Sequence, residues 1–238
     1  AYEGHRIPRL RSCVRSYFSV PQLGDYHLHK DGDGMLRAIA SIPSYVERCS
    51  HFLAVVPTVR HSDLPGVTCD YGSWLSRGWC RAEMYAQLMA RFSNRPAIVI
   101  KGGEATPSMI SSQRAVWRPP GLGTFTCCMC NHRVTNADGT ERAIGCDKDA
   151  LGPMIWSMLK AMLEHLLKEG SIGDYQRWCS LVPCMTQGLK LPADADAYVP
   201  SSVAEFLRVF RFESPTDEEG KRGTGYSPLF LAACSGNV

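Results

Sequence analysis

The chain has 238 residues, 45% of them hydrophobic, and a formal net charge of +3. That is enough apolar material for one large domain or two modest ones. It excludes a nucleic-acid footprint, because the aromatics are not interleaved with basic residues, and it excludes a membrane span, because the longest apolar runs, His51–Pro57 and Pro96–Ile100, fall far short of the ~18–20 residues required.

The first 24 residues are weakly patterned. Arg6, Arg9, Arg11 and Arg15 read as a solvated basic face, with no apolar signal-peptide region behind them. Tyr17–Val20 reads as a short strand ended by Pro21, and Asp25–Lys30 as a strand end running into a Gly-rich turn. Met35, Leu36, Ile39, Ile42, Tyr45 and Val46 recur at helical spacing, with Pro43 expected to kink or divide the helix. Phe52–Val56 is β-branched and closed by Pro57, as expected of a buried strand. His61–Tyr71 reads as a loop. Ser73 is a candidate cap for one helix from Trp74 to Phe92, with Leu75, Trp79, Ala82, Ala86, Met89 and Ala90 on its apolar stripe. Asn94–Pro96 stops that helix, and Ala97–Ile100 is a second buried strand ending at Lys101. Helix, strand, loop, helix, strand with continuous apolar strands predicts an α/β arrangement, a parallel sheet covered by helices.

The second half differs. Pro119–Gly123 makes a break, and a Cys-rich segment follows. Leu151, Met154, Ile155, Met158, Leu159, Met162, Leu163, Leu166 and Leu167 then obey i, i+3, i+4 spacing, predicting a helix over Leu151–Lys168 capped by Asp149 and stopped at Gly170. Such a stripe is core rather than cofactor box. Shorter helices are expected near Asp174–Leu181 and Ser202–Phe210, and Ser214–Gly225 has linker composition.

Eleven cysteines, an odd number in a chain too long to need disulfide staples, suggest a reduced, cytoplasmic setting. Within them Cys127-x-x-Cys130 has metal-ligand spacing, and His132 with Cys146 would complete a zinc site. A reduced loop with buried thiols is the competing reading. His27 and His29 alternate on a strand-like stretch, and Lys101-Gly-Gly103 after a strand hints at a phosphate-binding turn without a full Gly-rich motif.

Ser41-Ile-Pro-Ser-Tyr-Val-Glu-Arg-Cys-Ser50, His51-Phe-Leu-Ala-Val-Val-Pro57 and Trp74-Leu-Ser-Arg-Gly-Trp-Cys-Arg-Ala-Glu83 together resemble the second half of TIR (Toll/interleukin receptor) and TIR-like domains, most closely those of ankyrin-bearing protist proteins. The resemblance covers residues 25–103. Asp25–Lys30 stands where the family has a D-x-C-I-x-Q element, and the opening Y-D-V-F-I-S-like strand is not evident. The resemblance implies a flavodoxin-like parallel sheet with flanking helices, and a module that self-associates in intracellular signalling. In TIR domains that hydrolyse NAD, a Glu at the matching position of W-C-x-x-E helps cleave the nicotinamide–ribose bond, which would assign that role to Glu83. Glu83 lies roughly 40° from Trp79 on the helical wheel, at the edge of the apolar stripe. Pairing with Arg48, Arg77 or Arg81 is the structural alternative.

Gly225-Tyr-Ser-Pro-Leu-Phe-Leu-Ala-Ala-Cys-Ser-Gly-Asn237 resembles the first half of an ankyrin repeat, with Ser227 for the usual Thr and Phe230 for the usual His. Pro in its first turn and Gly236 as its stop suit a short helix. One partial repeat cannot bury its own face, so further repeats and a longer protein are expected. Trp79, Tyr226 and Phe230 are the candidate contact residues for a protein partner or a second copy. The expected organisation is a TIR-like domain over 1–118, a Cys-rich segment over 119–150, a helical segment over 151–213, a linker over 214–224 and a partial repeat over 225–238.

Overall fold

The computed structural model describes residues 33–49, 51–62, 65–91, 97–103, 105–110, 115–136, 138–218 and 223–236. The expectations for Tyr17–Val20 and Asp25–Lys30, with His27 and His29, lie outside the described residues.

The first half is mixed α/β. Helix α1 (Asp33–Arg48) runs through Pro43 as one helix, not two. Strand β1 (Phe52–Val55) pairs in parallel with β4 (Ala97–Ile100), and β5 (Ser108–Ile110) adds antiparallel to β4, giving the order β1–β4–β5. The loop expected over His61–Tyr71 carries a small antiparallel pair, β2 (Val59–Arg60) with β3 (Thr68–Cys69).

The single helix expected from Trp74 to Phe92 is two helices, α2 (Tyr71–Ser76) and α3 (Gly78–Leu88). The break has a tertiary cause. Arg77 is extended and bridges to Thr124, Thr124 N donates to Ser76 O at 2.7 Å, and Gly78 N donates to Thr124 O at 2.9 Å. Gly78 lies flat against Phe125, where a Cβ would overlap the ring. The cap is Asp70 rather than Ser73. Ser73 supplies the reciprocal half of a capping box, its hydroxyl accepting from Asp70 N at 2.8 Å.

Two cores result, and α3 is the wall between them. The smaller joins Ala54, Val56, Ala97, Val99 and Ile110 of the sheet region to Leu75 and Met84. The larger takes the other side of α3, with Ala82, Tyr85, Ala86 and Met89, and packs it against the second half of the chain. Tyr85 is fully buried and its hydroxyl donates to Val116 O at 2.6 Å; burial holds its pKa well above the usual tyrosine range.

The Cys-rich segment is ordered into a one-turn helix, α4 (Thr126–Met129), and a hairpin of β6 (Arg133–Thr135) and β7 (Glu141–Ala143). The amphipathic helix is α5 (Asp147–Lys168), four residues longer at its start than the periodicity predicts, with Cys146 rather than Asp149 at the N-cap. Seven of the nine stripe residues, from Leu151 to Leu163, are buried, each contributing about 2 kcal/mol of transfer free energy; Leu166 and Leu167 are partly buried. Gly152 permits the closest approach, because a Cβ there would overlap Lys190 O. Helix α6 (Ile172–Met185) packs on α5, and α7 (Val203–Phe210), capped by Ser202, stacks Phe206 on Phe210 beneath it. The last helix, α8 (Pro228–Ser235), has Ser227 at its N-cap, Pro228 in its first turn and Gly236 left-handed at its end, and lies on α6 and α7.

Among the described residues no helix is long and apolar enough to cross a membrane, and all ten cysteines are free thiols.

Candidate functional site

Two groups of side chains carry chemistry. The first sits on the opening turns of α3. Trp79 is half-buried against the larger core, and its Nε1 donates to Asp147 Oδ2 at 2.9 Å, tying α3 to the start of α5. Glu83, one turn on, is half-buried. Burial, with the Glu83 carboxylate adding to it, pushes the Cys80 thiol up to about 11. Cys80 is thus protonated at neutral pH and a poor nucleophile. Arg81 donates to Leu75 O at 2.7 Å and to Pro119 O at 3.1 Å. Lys101, beyond β4, lies 5.4 Å from the Tyr71 ring centre in a cation–π contact.

The second group lies where α4, the β6–β7 hairpin and α5 meet. Cys127, Cys128, His132 and Cys146 bring one ligand atom each to within 4.8 Å of one another. Cys128 is the hub: its Sγ is 3.9 Å from Cys127 Sγ, 3.9 Å from Cys146 Sγ and 3.7 Å from His132 Nε2. Cys130, the partner expected from C-x-x-C spacing, points back along its own turn, its Sγ donating to Cys127 O at 3.4 Å. The sequence signal for the other arrangement was present, since Cys128 and His132 are four residues apart and Cys127 and Cys128 adjoin.

No family model, curated protein or solved structure matches this chain. Function must be read from its own geometry.

Local structure sets that geometry. Asn131 and His132 are consecutive left-handed residues, with φ 51° and 57°. This costs non-glycine residues about 1–3 kcal/mol each, and it reverses the chain so that the imidazole folds back over α4. The reversal is held by His132 N donating to Cys127 O at 2.7 Å and Ile144 N donating to His132 O at 2.9 Å. Cys146 arrives from the other side, at the N-cap of α5, and Asp147 N donates to Cys127 Sγ at 3.3 Å. Burial pushes the Cys127 thiol up to about 12. Three sulfurs and an imidazole nitrogen around one point form a soft, borderline donor set.

The remaining candidate residues lie at the far end. Tyr226 and Phe230 stack with ring centres 5.8 Å apart and planes 6° apart, and Phe230 with Leu229 stands exposed on α8.

Proposed function

We propose that this chain is a non-catalytic interaction module of a signalling or scaffold protein: a TIR-like, flavodoxin-like α/β half that associates with a second copy of itself, followed by a helical segment leading into an ankyrin-type protein-binding region. One observation carries the self-association. Leu53, Ile98 and Met109 are aligned across β1, β4 and β5, and Val55 is paired with Ile100, so these five side chains share one face of the sheet. Leu53, Val55 and Met109 are 46%, 66% and 72% exposed, whereas the opposite face is buried against α2 and α3. Parallel strand pairs are ordinarily covered on both faces. Among the described strand residues this face carries five apolar and no charged side chains, which suits the more apolar class of interface, that between identical subunits. The exposed Leu229 and Phe230 of α8 support a second, separate contact through the ankyrin-like end.

Sedimentation velocity tests this reading. The wild-type chain is expected to dimerise at micromolar concentration, and Val55→Asp/Met109→Asp to sediment as a monomer with an unchanged circular dichroism spectrum. A wild-type chain that stays monomeric to about 100 μM, an affinity weaker than about 5.5 kcal/mol, would sink it. Nicotinamide release from NAD by the wild type, lost in Glu83→Gln with the fold intact, would replace it with the glycohydrolase reading.

A further inference from the structure

We infer that Cys127, Cys128, His132 and Cys146 form a structural zinc site that locks the β6–β7 hairpin and α4 onto the start of α5. The inference does not depend on the interaction reading, which uses the outer face of the β1–β4–β5 sheet.

Geometry is the first argument. With Zn–S of about 2.3 Å and Zn–N of about 2.0 Å, a tetrahedral site has S···S edges of about 3.8 Å and S···N edges of about 3.5 Å. The observed separations from Cys128, 3.9 and 3.9 Å to sulfur and 3.7 Å to nitrogen, match those edges within about 0.2 Å. The four atoms come from three separate pieces of backbone: α4, the reversal at Asn131–His132, and the N-cap of α5. Buried or half-buried thiols that merely fill space need not converge on one point with an imidazole.

The surroundings are the second argument. A zinc ion with three thiolates and one neutral imidazole carries a net charge of −1. Positive dipoles face that charge here: Asp147 N–H points at Cys127 Sγ, and α5, a helix of 22 residues, starts at Cys146. The carboxylate of Asp147 opposes that charge, and its Oδ2 accepts from Trp79 Nε1. Two left-handed non-glycine residues in succession at the ligand itself are a strained turn of the kind found where a bound group repays the cost.

The chemistry fixes the class of site. Four protein ligands complete the tetrahedron and leave no position for water or substrate, so the ion holds structure rather than activating a nucleophile. Cys127 belongs to the larger core with Phe125, and Cys128, Ile144 and Cys146 pack against it, so the ion would pin that margin.

The test uses the untagged full chain expressed in zinc-supplemented medium. Metal analysis should find one zinc per chain. Replacement by Co²⁺ should give the visible bands of a tetrahedral ion with near-ultraviolet thiolate-to-cobalt charge transfer. Cys130→Ser should keep the metal, and Cys128→Ser should lose it. Should Cys128→Ser fail to fold, His132→Cys decides the matter by itself: the site stays loaded and the charge-transfer intensity of its cobalt form rises by roughly a third, from three thiolates to four. Chelation should lower the melting temperature of the wild type by roughly 10 °C or more and leave a variant already lacking zinc unaffected. No bound metal, iron in place of zinc, or loss of metal in Cys130→Ser with retention in Cys128→Ser would each overturn the inference. Self-association can persist or fail independently of all of these, which separates the two readings.

Discussion

The two cores that α3 divides are closed in different ways. The larger is lined mainly by helices, with side chains from α1, α3, α5, α6, α7 and α8. Polar groups drawn in bond to backbone, as with Tyr175 Oη donating to Val209 O at 2.9 Å and Gln176 Nε2 donating to Phe210 O at 2.7 Å, while Gln176 Oε1 is buried with no hydrogen-bond partner among the described residues. Among the described residues the smaller is closed on one face, by α2 and α3, and its three-stranded sheet exposes Leu53, Val55 and Met109 on the other. The difference teaches where stability and contact reside. Helix packing of Met- and Leu-rich stripes supplies the folding free energy, while the thin sheet carries surface that folding leaves unused.

Substitutions in each core test that contrast. The largest effect is expected for Leu159→Ala, a fully buried residue on α5, which should cost about 3–4 kcal/mol and lower the melting temperature by about 10 °C. Val99→Ala in the smaller core should cost about 2 kcal/mol. Because α3 belongs to both cores, calorimetry should show one transition in either variant; two separated transitions would mean that the cores fold independently. Next comes Gly78→Ala. Its Cβ would meet the Phe125 ring, so about 2 kcal/mol should be lost in urea unfolding, and an unchanged midpoint would mean that the ring moves aside freely.

The smallest effect belongs to the ion pair that ties α1 to the end of α3. Arg91 grips Glu47 bidentately, at 2.6 and 2.9 Å, and Arg91 N adds a third contact at 3.3 Å. The Arg91 guanidinium holds the Glu47 carboxyl below its ordinary value of 4.5. A depressed carboxyl stabilises the native state fully above its unfolded pKa, and that contribution fades as pH falls through the lower native value. Arg91 is 35% exposed, so solvent screening limits the pair to about 1 kcal/mol. Glu47→Gln should therefore lose about 1 kcal/mol near neutral pH and progressively less as pH falls through the lowered native pKa of Glu47; a deficit that persists once the carboxyl is protonated in both states would indicate lost packing rather than lost charge.

Legibility differed between these regions for a physical reason. The stripe of α5 and the strands Phe52–Val55 and Ala97–Ile100 were readable because each segment's apolar period is local. The metal-type ligand set was only partly readable. Four of the five candidate positions are nearby in sequence, but C-x-x-C spacing favoured Cys130, and only the left-handed turn at Asn131–His132 reveals that Cys128 faces inward while Cys130 bonds its own backbone. Trp79 lies on the apolar stripe of its helix and is also a candidate contact residue; that its indole donates to an Asp 68 residues away is beyond any local pattern.

By itself the sequence determined that an α/β segment with two buried strands precedes a long amphipathic helix, that no helical membrane span is built into the apolar runs, and that Cys and His gather between residues 127 and 146. Tertiary structure alone decided that the helix breaks at Arg77, that α3 serves two cores, and that Leu53, Val55 and Met109 are exposed on one sheet face. It also chose Cys128 over Cys130. Periodicity specifies which face of an element is apolar. What that face meets, and which donor atoms converge, depends on contacts such as Ser76 with Thr124 and Cys128 with Cys146, 48 and 18 residues apart, where no local rule reaches.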